Sequence, residues 1–395
     1  MRIRSAEGRR QMEAYLDNSA TTKVSERVME AVLAAMTDYY GNPSAMHSMG
    51  VRAENKVREA RELLARLMKV GEKEIYFTSG GTEANNMALI GAAMANRRAG
   101  NRILTTQIEH ASVSNTMAYL KEQGFDIVAL PVDSYGQLQM QALREAMTED
   151  TILVSVMYVN NEIGAVEPIE EINHVIRAVN PSVAFHVDAI QAFGKYKIYP
   201  KRLGIDLLSV SGHKLHAPKG VGFLYKNAHV KVKPILFGGG QQDGLRSGTL
   251  NVPGIVGLAM AAEESYTDFD EKQKRLYNLK ELFVTGIQKI EGTKINGYPG
   301  RESAPHIVSV SFDGVRSEVL LHALEEQGVY VSAGSACSSH KASISPTFKA
   351  LSLKKKSLDA TLRFSFSTFT TEQEICSALE ALRETLPVLR KVTGR

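Results

Sequence analysis

Three short segments of this 395-residue chain carry side chains suited to chemistry, and each follows an extended run. Ser79-Gly80-Gly81-Thr82-Glu83 comes after Glu74–Phe77 and opens a helical pattern. Glycines let backbone N–H groups close on an anion, a helix N-terminus attracts it, and the Thr82 hydroxyl adds a donor. The segment also reads as a plain glycine turn with Thr82 as helix cap. It is neither a Walker A loop nor a G-x-G-x-x-G fingerprint, and Gly238–Gly240 with Gly244 supply no fingerprint either. In His186-Val187-Asp188-Ala189-Ile190-Gln191, Asp188 ends a strand among apolar neighbours. Such a carboxylate is partly buried and needs a partner, unless it merely caps a helix. Ser209-Val210-Ser211-Gly212-His213-Lys214 closes another strand and points a lysine into the same crevice. A desolvated lysine among cations becomes a nucleophile or Schiff-base former. Ser211 and His213 suit a phosphate. His213 and His216 have no carboxylate or thiol at ligand spacing, so no metal is expected.

A fourth segment, Val331-Ser332-Ala333-Gly334-Ser335-Ala336-Cys337-Ser338-Ser339-His340, places a cysteine among small and polar residues. That pattern predicts an exposed, mobile loop, with His340 and Lys341 to favour a thiolate; an incidental surface thiol is the alternative. Cys376 lies with Ile375, Leu379 and Leu382 at helical spacing and is expected to pack as a structural residue.

These segments need a scaffold, and the rest of the chain supplies one. Extended runs at Arg102–Thr106, Asp126–Pro131, Thr151–Val159, Ala184–Val187, Asp206–Val210 and Val221–Tyr225 alternate with helical patterns. The helical ones include Val24–Asp38, Val51–Met68, Glu83–Arg97, Ser112–Gln123, Met140–Met147 and Ile169–Val179. This alternation predicts a mostly parallel sheet covered on both faces, with ligands at the carboxyl ends of its strands. Ile255–Ile290 reads as a long helical stretch. Beyond it come an alternating run at His306–Phe312, a helix at Glu318–Gln327, strands at Val329–Ser332 and Leu362–Ser367, and a closing helix, Glu372–Leu386. The expected division is a large domain, 15–255, and a smaller α+β domain from 1–14 and 256–395 that carries the Cys337 loop. A phosphate cup, a strand-end acid and a strand-end lysine in one α/β domain together point to pyridoxal 5′-phosphate, whose ring nitrogen pairs with an aspartate.

Composition excludes other classes. Hydrophobic residues at 44% and charged residues at 23% suit a packed protein and not a disordered one. Two cysteines cannot staple the chain or build a cysteine-rich zinc site, and their scarcity suits a reducing cytoplasm. Net charge is +4 without a basic, aromatic-laced stripe, so no direct nucleic-acid contact is expected; Lys354-Lys355-Lys356 reads as a solvated turn. No apolar run reaches the ~20 residues of a membrane span. Met1–Gln11 lacks an apolar core, so it reads as a short leader and not a secretory signal.

The ordered motifs resemble the cysteine desulfurases, the class V aminotransferase-like branch of pyridoxal-phosphate enzymes. The resemblance runs from Tyr15-Leu16-Asp17-Asn18-Ser19-Ala20-Thr21-Thr22 to Leu362-Arg363-Phe364-Ser365. Between them lie Gly41-Asn42-Pro43-Ser44, Thr78–Asn86, Glu109-His110, Val159–Gly164, Ser211–Lys214, Arg246-Ser247-Gly248-Thr249 and Ser335-Ala336-Cys337-Ser338-Ser339. The long cysteine loop and His213–Gly220 are similar to the NifS/IscS-like group and not to the SufS-like group. Residues 1–13 and Ser343–Lys356 depart from the pattern, which leaves the acceptor open.

The resemblance implies fold type I of the pyridoxal-phosphate transferases and a homodimer. It implies that Lys214 holds the cofactor covalently and moves the substrate Cα proton. Asp188 would keep the pyridine nitrogen protonated, and Gln191 would reach the phenolate oxygen. His110 would stack on the ring, and Asn161 would sit near the phenolate and the substrate carboxylate. Gly81, Thr82, Ser211 and His213, with Thr249 from the partner subunit, would hold the phosphate. Arg363 would bind the substrate carboxylate, with Asn42 nearby. Cys337 would take sulfur from L-cysteine as a persulfide, leaving L-alanine, and pass it to an acceptor protein for iron–sulfur cluster assembly or tRNA thiolation. Two other readings stay open: a selenocysteine lyase or other class V enzyme in which Cys337 is dispensable, and a cofactor-free sulfur-carrier or tRNA-contacting scaffold. Intact Lys214 and Asp188 argue against the scaffold.

Overall fold

The computed structural model describes residues 13–333, 345–352 and 359–393. Cys337, His340, Lys341 and Lys354–Lys356 lie outside the described residues. Contacts divide the chain into two units. The larger comprises Thr21–Asn161 and Ala165–Glu271; the smaller takes the residues up to Ala20, Glu162–Gly164, and those from Lys272 onward.

In the larger unit seven strands form one sheet. They are β2 (Ile75–Thr78), β3 (Arg102–Thr106), β4 (Asp126–Leu130), β5 (Thr151–Met157), β6 (Ala184–Asp188), β7 (Leu207–Ser211) and β8 (Gly222–Lys226). Their order is β2-β8-β7-β6-β5-β3-β4, parallel throughout except that β8 runs antiparallel to both neighbours. Every residue of β5, β6 and β7 is buried, as strands covered on both faces require. The polar His186 of β6 is accommodated there because its ring nitrogens lie 2.8 and 2.9 Å from the Ser155 and Ser209 hydroxyls on the neighbouring strands. Burial lowers its pKa to about 3, so it is a neutral core residue.

Helix α1 (Glu26–Asp38) starts where the Ser25 hydroxyl accepts the Val28 N–H, and α2 (Ser48–Met68) where His47 accepts that of Gly50. The expected helix over Ile255–Ile290 is two helices, Val252–Tyr266 and Phe269–Ile287. Thr267 is extended and Asp268 has φ 49°, which breaks the run. The first of the two packs on α1 and α2, so it belongs with the larger unit, and the division falls inside the second and not near 255.

The smaller unit holds an antiparallel sheet of order β12-β13-β10-β9 and a parallel pair, β1 (Ala14–Tyr15) with β11 (Val329–Tyr330). Strands β9 (Thr293–Asn296), β10 (Ile307–Phe312), β12 (Ser332–Ala333) and β13 (Thr361–Ser365) cover a core in which Phe283 packs on Phe364 with ring centroids 4.6 Å apart. The C-terminal helix, Glu372–Thr393, runs past its internal Pro387, where the sequence pattern had suggested an end at Leu386. Its buried stripe is Ile375, Ala378, Leu379, Leu382 and Leu386. Cys376 is exposed, which corrects its reading as a packing residue. One step of about 100° beyond Ile375 carries a side chain off the stripe and into solvent.

Candidate active site

Strands β6 and β7 lie side by side, with Asp188 opposite Ser209, so the groups that follow their carboxyl ends start from one place. The Asp188 side chain is buried at 4% exposure. Its Oδ1 accepts the Ile190 N–H at 2.9 Å, and its Oδ2 accepts from Asn85 Nδ2 at 2.8 Å. Burial raises its pKa against those bonds and against the fields of His110 and Lys214. A buried carboxyl in that state gains from a hydrogen-bonded cation placed against it.

Asn85 is the hub of this arrangement. It sits on α3 (Gly81–Asn96), and the same Nδ2 donates to Ser112 Oγ at 2.9 Å. Ser112 Oγ lies 2.9 Å from His110 Nδ1, which also accepts the Ser112 N–H at 3.1 Å. His110 thus caps α4 (Ala111–Glu122) and is itself exposed, not a core histidine. Desolvation, opposed by Asp188 and helped by Lys214, holds its pKa below the ordinary value. With Nδ1 accepting, the neutral ring carries its proton on Nε2. Beside it, Glu109 accepts from Thr106 Oγ1 at 2.6 Å and from the Met157 N–H at 3.0 Å. Burial pushes its carboxyl up to about 8, which keeps a second negative charge away from Asp188.

The glycine segment meets the other two. Helix α3 begins at Gly81 with Gly80 at the cap, so Thr82 is not the cap residue. A Cβ on Gly81 would fall 2.2 Å from Ile190 Cδ1 and 3.3 Å from Ser211 Cβ. Only glycine lets the helix start this close to the turns after β6 and β7. Ser211 is buried and Thr82 exposed. His213 Nδ1 lies 3.2 Å from Thr21 Oγ1, and its pKa falls to about 4 through desolvation and then Lys214, Lys219 and Lys195.

Lys214 ends a 3-10 turn, Gly212–Lys214. Thr22 staples that turn: its N–H and its hydroxyl both donate to the His213 carbonyl at 2.9 Å, and its Oγ1 accepts the His216 N–H at 2.7 Å. Gln191 is buried just beyond Asp188. Asn161 is half-buried and Asn42 exposed. Thr249 is exposed on a loop that is nonetheless fixed. Gln242 pairs its side-chain amide with both backbone groups of Phe77 at 2.7 and 2.8 Å. Arg246 forks onto Glu83 at 2.6 and 3.1 Å. Desolvation raises the Glu83 pKa, but the bonds from Arg246 and Ser79 outweigh it and the carboxyl stays below its usual range.

Residues 14–377 match the family described as Aminotransferase class-V. The chain is 42% identical over 379 residues to the protein named cysteine desulfurase IscS from Methanosarcina thermophila, covering 96% of this chain and 93% of that one. The chain belongs to the cysteine desulfurase branch of the class-V aminotransferase family. Among solved structures, a NifS-like protein superposes with a TM-score of 0.90 at 37% identity, over 95% of this chain and all of that one. Another, described as SspA in complex with cysteine, matches with a TM-score of 0.77 at 32% identity, over 91% of this chain and all of that one.

Members of this desulfurase family are pyridoxal-phosphate enzymes, and the larger unit fits that group on its own geometry. A helix start too tight for any Cβ adjoins the buried Ser211 hydroxyl and suits a phosphate. The desolvated Asp188, bonded only to neutral donors, suits a ring N–H⁺. The smaller unit holds Arg363 on β13, between β12 and β10 and so not on an edge strand. Its Nη2 donates to Asp17 Oδ1 at 3.0 Å and to Ser332 Oγ at 3.2 Å, and the residue is 5% exposed. Glu162 accepts from Ser345 Oγ at 2.7 Å. Sequence reasoning missed Asn85, Ser112, Thr22 and Glu83 as site residues. Asn85, Thr22 and Glu83 stood inside quoted motifs, but their roles needed partners from elsewhere in the chain.

Proposed function

We propose that this cysteine desulfurase removes sulfur from L-cysteine and passes it, as a persulfide on Cys337, to an acceptor protein. The observation that carries this reading is the convergence of the buried Asp188, the Gly81 helix start and the Lys214 turn at the ends of β6 and β7. The Gly81 and Thr82 N–H groups, Ser211 and His213 would hold the phosphate of pyridoxal 5′-phosphate, with Thr249 of a second copy. Asp188 would pair with the ring nitrogen, Gln191 and Asn161 would serve the phenolate oxygen, and His110 would serve the ring. The bound cofactor supplies an electron sink that acidifies the substrate Cα hydrogen and weakens its bond from Cβ to sulfur.

This chain's residues do the rest. Arg363, its plane held by Asp17 and Ser332 on Nη2, takes the substrate carboxylate, with Asn42 nearby. Lys214 moves the Cα proton, and the neutral His110 shuttles a proton on Nε2. The Cys337 thiolate attacks the substrate sulfur. An S–S bond forms as the Cβ–S bond breaks, and the pair left on Cβ takes up a proton, giving L-alanine. The acceptor belongs to iron–sulfur cluster assembly or tRNA thiolation, in the cytoplasm, where thiols stay reduced. Among the described residues no helix is long and apolar enough to cross a membrane.

A second copy as partner suits α1, which exposes Met29, Leu33 and Met36 at 59%, 61% and 60% on one face. Apolar side chains at this helical spacing form a stripe of the kind that docks on another surface.

Intact mass tests the function. After L-cysteine without reductant, the protein is expected to gain one sulfur, mapped to Cys337; no gain, or a gain elsewhere, overturns the reading. Asp188→Asn keeps the shape but removes the charge. Turnover is expected to fall by about 10²–10³-fold, the counterpart of roughly 3–5 kcal/mol for breaking a buried charged pair. A wild-type kcat in that variant rejects the role given to Asp188.

A further inference from the structure

We infer that Lys195 is a positioning residue for Lys214: its ammonium group bonds the Lys214 main-chain carbonyl and fixes the turn from which the Lys214 side chain extends. The Lys195 Nζ donates to the Lys214 oxygen, across 19 residues of chain. That carbonyl ends a 3-10 turn: Leu215 bonds back to Gly212, and the chain then departs through His216 at φ 71°. Carbonyls at the end of a helical turn point their negative ends outward, where a cation is favourable. Thr22 holds the carbonyl before this one and the N–H two residues after it, and Lys195 adds an anchor between them.

Lys195 comes from a rigid place. It lies in a turn closed by Ala189 and Ala192 carbonyls, which accept from Phe193 at 2.8 Å and from Lys195 at 2.9 Å. Gly194 has φ 81°, and a Cβ there would lie 3.2 Å from Ser265 Cβ and 3.6 Å from Leu215 Cβ. The Tyr266 hydroxyl accepts the Gly194 N–H at 3.1 Å and donates to the Tyr196 carbonyl at 3.0 Å. The turn that carries Gln191 is therefore tied to the turn that carries Lys214.

The bond also sets a second amine beside the first. Desolvation, then Lys214, lowers the Lys195 pKa to about 7, and the field of Lys195 reaches His213. The charged and titratable groups around the pair are His213 and Lys219 on the same segment, and Asp188 and His110 facing Lys214. Lys195 and Lys214 thus stand as neighbouring amines whose charges repel, while the bond holds the backbone in place.

The inference rests on Lys214 as the cofactor's attachment point, which borohydride reduction of the wild type tests separately: a cofactor mass missing from Lys214 there refutes that reading and not this one. The test compares Lys195→Met and Lys195→Arg holoenzymes. Lys195→Met is expected to keep its cofactor and to change the KM for L-cysteine by less than about twofold. Its kcat should fall by about tenfold or more, as displaced catalytic groups do. The pH midpoint of its visible absorption should rise by about one unit with the neighbouring cation gone. Lys195→Arg, which keeps donor and charge, is expected to restore both. An unchanged midpoint and kcat in Lys195→Met, or an arginine variant as impaired as the methionine one, overturns the inference. If Lys195→Met does not fold, Lys195→Gln takes its place and the same two readouts decide.

Discussion

Lys214→Ala is expected to lower sulfur release from L-cysteine by on the order of 10⁴-fold, the upper range for loss of a proton-moving group. The purified wild type should be yellow, and borohydride should fix the cofactor's mass on Lys214; the alanine variant should surrender that mass on denaturation. The effect is expected to be large because the proposed function gives one amine two jobs. Thr22 and Lys195 hold the backbone of its turn. The variant should still bind the cofactor without a covalent bond, since the Gly81 helix start, Ser211 and Asp188 are untouched. A colourless wild type that gains no mass with borohydride would falsify the cofactor assignment.

Cys337→Ala should bind L-cysteine, seen as a change in the visible spectrum, and yet release no sulfide under reductant. The reasoning is chemical: the Cβ–S bond breaks only if something accepts the sulfur, and a thiolate is the strongest acceptor the chain offers. The exposed Cys376 supplies the control. It lies on the C-terminal helix and takes no part in the proposed chemistry, so Cys376→Ala should keep wild-type turnover. Full turnover in Cys337→Ala, or a persulfide mapped to Cys376, would reject the assignment.

Much of the larger unit was legible in the chain. β5 reads as a mostly apolar run, and β6 and β7 carry only residues that bury well or find partners there, so their places and their parallel course follow from composition. Asp188 and Ser211 do end β6 and β7, and Lys214 follows in the next turn, where the carboxyl-end rule looks for a ligand. Other features escaped because a one-dimensional pattern does not carry them. Cys376 was misread since a helical stripe is narrow and one residue changes the face. The break at Asp268 falls in Ser265-Tyr266-Thr267-Asp268, a short run of weak helix formers whose signal was masked by the good formers on either side. Arg246 and Glu83 stand 163 residues apart, and only the fold makes them a pair.

The sequence by itself determined the candidate groups for chemistry: one lysine, one aspartate, a glycine-opened helix and a cysteine in a polar segment, each at a recognisable place along the chain. Their kinds and local spacing follow from short-range periodicity and from turn chemistry, which neighbouring residues carry. The tertiary structure decided how those groups are held and tuned. The link from Asp188 through Asn85 and Ser112 to His110, the protonated Glu109, and the amine of Lys195 on the Lys214 carbonyl all depend on burial and on partners tens of residues away. Desolvation and long-range hydrogen bonds arise only when the strands close, so no reading of local pattern contains them.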